Sequence, residues 1–178
     1  MPKKIKPVFD AELVEFTDEH DRPLGITPLR EARRQSLPHR HAAALVYDLH
    51  NKLYLRKRGP DERLYPGRYD LSASGHVRPG EARITAARRR LLQELGIDAQ
   101  RLRLVLEVPA SKDTGYENTT LYSTGRIAAE PKPAPKRSGE GMFVDQAELA
   151  YLAEHFRELL TPSLVYFLDA GALFPKTP

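Results

Sequence analysis

Residues 75–97 read GHVRPGEARITAARRRLLQELGI, and the fold is decided by this stretch. It opens on a glycine loop, turns at Pro79-Gly80-Glu81 and then runs helically to Gly96. Ile84, Ala87, Leu91 and Leu95 recur at helical spacing, which predicts one apolar stripe packed on a sheet. Glu81 suits the positive end of the helix, and Gly96 is the residue type that follows a helix end. Arg90 and Glu94 lie one turn apart on a neighbouring face, with Arg83 and Ala86 nearby. They form either an ion pair on the helix flank or part of a binding surface. A loop and helix with an acidic entrance and basic neighbours can seat a metal ion and a phosphate chain.

The stretch resembles the Nudix box, G-x5-E-x7-R-E-U-x-E-E-x-G-U, where U is a bulky aliphatic residue. Gly75, Glu81, Arg89, Leu91, Glu94, Gly96 and Ile97 all fall in register. Two positions depart. Arg90 stands for the glutamate after the arginine, and Gln93 for the first of the paired glutamates. Those are two of the three helix carboxylates that typically hold magnesium in the hydrolases of the family. The isopentenyl-diphosphate isomerase branch also has Arg-Arg there and keeps the last glutamate. The resemblance implies an α/β (α+β) fold, a Nudix-type α/β/α sandwich with a mixed β-sheet. In organisation it runs from about Glu12 to Asp145; its specific part is Leu64 to Ile97.

A chain of 178 residues suits one well-buried domain, and no internal repeat or second boundary divides it. With 40% hydrophobic and 29% charged residues, the composition is that of a soluble globular protein. The net charge of +4 suits a polyanionic ligand such as a diphosphate and gives no reason to expect nucleic acid. With no cysteine, a disulfide framework, a thiolate metal site and a thiol nucleophile are all excluded. The opening MPKKIKPVFDAELVEF lacks the apolar core of a signal peptide, and no apolar run reaches about 18 residues. A cytoplasmic protein without a membrane partner is expected. A homodimer is compatible with the sequence, which leaves the oligomeric state open.

Along the chain, residues 1–10 read as a loose basic arm and Glu12 to Phe16 as a strand. Thr17 to Pro23 is a polar turn leading to Gly25, and Pro28 to Gln35 a short helix carrying Arg30, Arg33 and Arg34. Those arginines are solvated, or one of them faces a ligand phosphate. His39 to Asp48 and Lys52 to Lys57 form two strands of a hairpin around Leu49–Asn51. A loop from Gly59 to Gly67 precedes a short strand, Tyr69 to Ser74. After the box helix come strands at Leu102 to Pro109 and Asn118 to Ile127, then a Pro/Lys-rich surface connector over 128–138. Gly141 to Asp145 is a last strand, and 146–178 carries two helices, Gln146 to His155 and Pro162 to Ala170.

Magnesium takes oxygen ligands and shares them with substrate phosphates and water. On the box helix Glu94 is therefore the main metal candidate and Glu81 a second catalytic carboxylate. Arg90 and Arg89 on the helix, with Arg58 at the end of the second hairpin strand, are candidates to bind phosphate through guanidinium forks. Arg63, Arg68 and Arg78 on adjacent loops add charge near the mouth. By resemblance to the isomerase branch, His39, His76 and Glu117 match positions that ligate a divalent metal, a set suiting zinc, manganese or iron. The alternative for the two histidines is ordinary polar residues at a strand end and in a loop; His41 shares the strand face of His39. A further ligating histidine of that branch falls near Ala32, its catalytic glutamate on Thr119 and its catalytic cysteine on Ser74. Neither a serine nor a threonine suits proton addition and removal across an alkene, so isomerisation is not expected. Glu140 and Glu117 compete for the role of general base.

The resemblance thus implies a hydrolase that uses Mg2+ (or Mn2+) to cleave a diphosphate linked to another moiety. The alternatives are a non-catalytic domain that binds a phosphorylated ligand and, less favoured, an isomerase-like enzyme. Metal-dependent phosphate release distinguishes the first from the second.

Overall fold

A computed structural model describes residues 12–134 and 138–174. The expected basic arm at 1–10, residues 135–137 of the connector and the last residues, 175–178, lie outside the described residues. In chain order the elements are β1 (Leu13–Thr17), β2 (Pro23–Pro28), α1 (Leu29–Arg34), β3 (His39–Tyr47), β4 (Leu53–Arg58), β5 (Tyr69–Asp70) and β6 (Ala73–His76). They continue with α2 (Arg83–Leu95), β7 (Arg103–Val108), β8 (Glu117–Arg126), β9 (Ser138–Val144), α3 (Gln146–His155) and α4 (Pro162–Asp169), a 3-10 turn at Arg157–Leu159 preceding α4. All nine strands join in one mixed sheet. β3 runs parallel to β8, and the other strand pairs are antiparallel.

β3 is the spine, and its alternation builds the layers. Ala43, Leu45 and Tyr47 face one side, where they pack with Leu149 of α3 and Leu164 and Phe167 of α4. Ala42, Ala44 and Val46 face the other, against Ala86, Ala87, Leu91 and Leu95 of α2. The result is the expected α/β/α sandwich with a mixed sheet. Each fully buried leucine removed from water contributes roughly 1.5–3 kcal/mol, so the α2 stripe anchors the box helix firmly. Gly96 closes α2 with φ of +65°, in the left-handed region that favours glycine, and its N–H bonds the Leu92 carbonyl. Among the described residues no helix is long and apolar enough to cross a membrane.

Three local departures from the expected elements have physical causes. The polar turn between Thr17 and Pro23 is present, but beyond it the chain forms an additional strand, β2, whose ends are Pro23 and Pro28. Proline lacks a donor, yet it is tolerated here because β2 is an edge strand, paired with β1. The 39–48/52–57 hairpin closes at Tyr47 opposite Leu53, and then its strands part. β3 turns to β6 and β8, and β4 to β5 and β9. The strand expected over 69–74 is accordingly split. β5 pairs with β4 and β6 with β3, and fully buried Ser72 spans the gap between them. Its hydroxyl accepts from the Val46 N–H at 3.0 Å and donates to the Tyr54 carbonyl at 2.6 Å.

Candidate functional site

The register of three strands assembles a histidine–carboxylate cluster. On β3, His39 and His41 point to one face, being two residues apart. β8 sets Glu117 opposite His39 and Thr119 opposite His41; β6 sets His76 opposite His41. Side chains far apart in sequence therefore meet without any loop needing to place them. His76 Nε2 lies 3.0 Å from Glu117 Oε1, His39 Nε2 3.9 Å from the same oxygen, and His41 Nδ1 3.6 Å from Glu117 Oε2. Glu12, immediately before β1, brings Oε1 to 3.4 Å from His76 Nδ1.

The residues fit a divalent ion. One donor atom from each of His39, His76 and Glu117 lies within 4.8 Å of the others. His39 Nδ1 is 2.8 Å from the Leu37 carbonyl, a contact that needs the proton on Nδ1 and leaves the Nε2 lone pair aimed at Glu117. His39 Nε2 is buried and makes no hydrogen bond, and neither does buried His76 Nδ1. A buried lone pair facing a carboxylate is costly unless a cation joins them. Electrostatics divide the three imidazoles. Burial pushes His41 down to about 4, and lowers His39 against the pull of the Leu37 carbonyl. Burial also opposes charge on His76, but the Glu117 and Glu12 carboxylates outweigh it and hold His76 above the usual imidazole value. For Glu117, burial is overcome by His41, His76 and His39, which together keep its carboxyl well below the ordinary range.

The box helix meets the same cavity from the other side with a different chemistry. Glu94 is buried at 3% exposure, and Arg56 Nε lies 3.3 Å from its Oε2 while Arg90 Nη1 lies 3.7 Å from its Oε1. The Ser74 N–H also donates to Glu94 at 3.4 Å. Burial raises the Glu94 carboxyl against the pull of the two guanidiniums. Glu94, expected as a metal ligand, is paired in this structure with the two guanidiniums. Arg90 lies across Gly75, where a Cβ would fall 1.7 Å from its Nε. The box glycine thus makes room for the arginine that departs from the box pattern.

Glu81 and Arg89, expected as a catalytic carboxylate and a phosphate ligand, hold each other. Arg89 donates from Nε to Glu81 Oε1 at 2.8 Å and from Nη2 to Oε2 at 2.9 Å, and Nη2 also reaches the His76 carbonyl at 3.1 Å. The Arg78 N–H donates to the same carboxylate. This fork ties the 76–82 loop to α2 and so fixes the backbone of His76. Arg58 lines the cavity, but its guanidinium is committed to Asp70, Glu62 and the Leu64 carbonyl, each at 2.8 Å. Glu140 is exposed on β9 and does not line the cavity. Arg30, Arg33 and Arg63 do line it, whereas Arg68 and Arg78 do not.

The cavity measures about 420 Å³ and spans the two chemistries, with His41, His76 and Glu117 on one wall and Arg56, Arg90 and Glu94 on another. Sequence reasoning passed over Glu12, Arg56, Glu62 and Asp70. Glu12, just before β1, and Asp70, in the two-residue β5, have no motif around them. Arg56 follows Leu53, Tyr54 and Leu55 in a strand buried on both faces, and that unbroken burial was the available signal.

Known proteins share parts of this sequence and its fold. Over 88 residues the chain is 41% identical to an uncharacterized Nudix hydrolase, PA4841, of Pseudomonas aeruginosa; the match covers 49% of the chain and 52% of that protein, about half its length. It is 32% identical to an isopentenyl-diphosphate Delta-isomerase of Streptomyces griseus over 169 residues, 91% of the chain and 84% of the relative. Among solved structures, DR0079 from Deinococcus radiodurans shares the fold, with a TM-score of 0.78 at 22% identity over 89% of this chain and 98% of that one. The NUDIX domain family model matches residues 37–163, which takes in the histidine cluster, the glycine loop, the box helix and α3, and the chain belongs to that family.

Proposed function

We propose that the protein is a divalent-metal-dependent hydrolase of a diphosphate linked to another moiety. One observation carries the reading: a cavity lined by a group of arginines and by His76 and Glu117, two members of the His39–His76–Glu117 donor set. Two imidazoles and a carboxylate suit Mn2+ better than Mg2+, so Mn2+ is the preferred ion of the expected pair. Bound there, the ion would neutralise phosphate oxygens and lower the pKa of a coordinated water. The chain's own groups do the remaining work. Arg33, 4.0 Å from Glu117 and 34% exposed, and Arg30 and Arg63 at the mouth are placed to hold the phosphates. Arg90 offers its Nη atoms from beneath Gly75 while keeping its Glu94 contact. Glu12 has no arginine within 4.0 Å among the described residues and is placed to orient an attacking water.

The experiment is phosphate or pyrophosphate release from a panel of nucleoside diphosphate derivatives and prenyl diphosphates, with Mn2+, Mg2+ or EDTA. Metal-dependent turnover of a panel member supports the reading. The pairing of Glu94 with two arginines favours a second reading, a domain that binds a phosphorylated ligand without cleaving it. Silence across the panel alongside measurable binding of one diphosphate would establish that instead. Rearrangement of a prenyl diphosphate without phosphate release would overturn both and assign Ser74 and Thr119 a proton-transfer role.

A further inference from the structure

Among the described residues, Glu94 belongs to a set of mutually paired charges. Arg56, 2% exposed, sits inside three carboxylates: Nε is 3.3 Å from Glu94 Oε2, Nη1 3.4 Å from Glu62 Oε1, and Nη2 3.8 Å from Asp70 Oδ2. Arg58 closes the outer side on Glu62 and Asp70, and Arg90 the far side on Glu94. The three carboxylates are thereby matched by three guanidiniums. Charges as buried as Arg56, Asp70 and Glu94 persist only when so matched, since desolvation penalises each alone. A divalent ion added at Glu94 would carry an uncompensated double charge against Arg56 and Arg90.

We infer that the Arg56 guanidinium is the resident cation of the box helix, standing permanently where hydrolases of the family place a divalent ion beside the last box glutamate. Its consequence for the proposed reaction, on whose reading the functional part rests, is that one exchangeable ion serves the site, held by the histidine cluster. Arg56 acts there as a positioning residue. It fixes Glu94, which in turn aims Arg90 across Gly75 into the cavity. It also accounts for Arg90 and Gln93 in the box: with a built-in cation, further carboxylates on that helix face would be left unmatched.

The test counts ions without needing substrate. Mn2+ binding is measured on the whole chain by the loss of free-Mn2+ magnetic resonance signal, for the wild type, Glu94→Gln, Arg56→Gln and the double variant. Glu94→Gln is expected to change the Mn2+ affinity of the wild-type site by less than about tenfold, the smallest loss typical of a ligand or its supporting partner. Arg56→Gln leaves Glu62, Asp70 and Glu94 to the two guanidiniums of Arg58 and Arg90, one positive charge short, and is expected to gain an additional Mn2+ equivalent that the double variant lacks. Should Arg56→Gln fail to fold, the Glu94→Gln comparison decides, with circular dichroism as its folding check. Loss of a wild-type Mn2+ equivalent in Glu94→Gln would overturn the inference, as would a folded Arg56→Gln that gains none. A wild type that binds no Mn2+ would remove the histidine-cluster reading but leave the gain in Arg56→Gln as the deciding result, so the two failures are distinguishable.

Discussion

Replacing Ser72 by alanine removes one oxygen from a fully buried position and should cost far more than its size suggests. The hydroxyl accepts from the Val46 N–H at 3.0 Å and donates to the Tyr54 carbonyl at 2.6 Å, at the point where β3 and β4 part. In Ser72→Ala the buried Val46 N–H and Tyr54 C=O both lose this partner. An unsatisfied buried group costs about 1–3 kcal/mol, and the carbonyl, with a second lone pair, falls at the lower end. The sum is about 2–4 kcal/mol. For a chain of this size each kcal/mol moves the midpoint by about 2–4 °C, so a fall of roughly 4–16 °C is expected. Urea unfolding followed by circular dichroism gives the free energy directly, read at constant slope so that compactness is unchanged. Ser74→Ala is the control, because no hydrogen bond involves its hydroxyl among the described contacts; it should shift stability by less than about 0.5 kcal/mol. A loss below about 1 kcal/mol in Ser72→Ala would refute the claim that this hydroxyl staples the split strand and so holds β6 and His76 in register.

Other expectations follow from the same geometry. Arg89→Ala breaks the fork on Glu81 and releases the His76 carbonyl; it should cost about 1–3 kcal/mol in urea unfolding and weaken Mn2+ binding about tenfold or more, read by isothermal titration. Gly75→Ala drives a Cβ into Arg90 and should displace that guanidinium. Diphosphate affinity measured by titration should fall about tenfold, while stability falls by only about 1 kcal/mol because a side-chain end can move. Asp145 caps α3 in a reciprocal box with Glu148, accepting from its N–H at 2.8 Å, so Asp145→Ala should lower stability by about 1 kcal/mol by calorimetry and leave Mn2+ binding untouched.

The box helix was legible because its signals are local. Ile84, Ala87, Leu91 and Leu95 mark a face by spacing alone, and Gly96 marks the end through a backbone angle that few other residues adopt. His39, His76 and Glu117 were legible by resemblance, and the register of β3, β6 and β8 does bring them together. Glu12 was not, because nothing in ELVEF indicates that its first residue will reach a histidine 64 positions away. The fates of Glu81, Arg89 and Arg58 were hidden for a related reason. A guanidinium bonds whichever carboxylate or carbonyl the fold brings near, and that partner is set by tertiary approach rather than by sequence spacing. Arg56 was hidden by its own strand. Alternation assigns a charged residue near a strand end to solvent, whereas this strand is covered on both faces and the charge is matched inside. β2 was masked by its two prolines, which read as turn residues unless the strand is known to lie at an edge.

The most direct measurement is diphosphate hydrolysis followed as a function of Mn2+ concentration in the wild type and in folded His39→Gln, with an EDTA-treated sample as the zero point. The account predicts a saturable dependence on the metal, no turnover in EDTA, and a half-saturating Mn2+ concentration raised by about tenfold or more in His39→Gln. Turnover that persists in EDTA, or identical Mn2+ dependence in the two proteins, would contradict it.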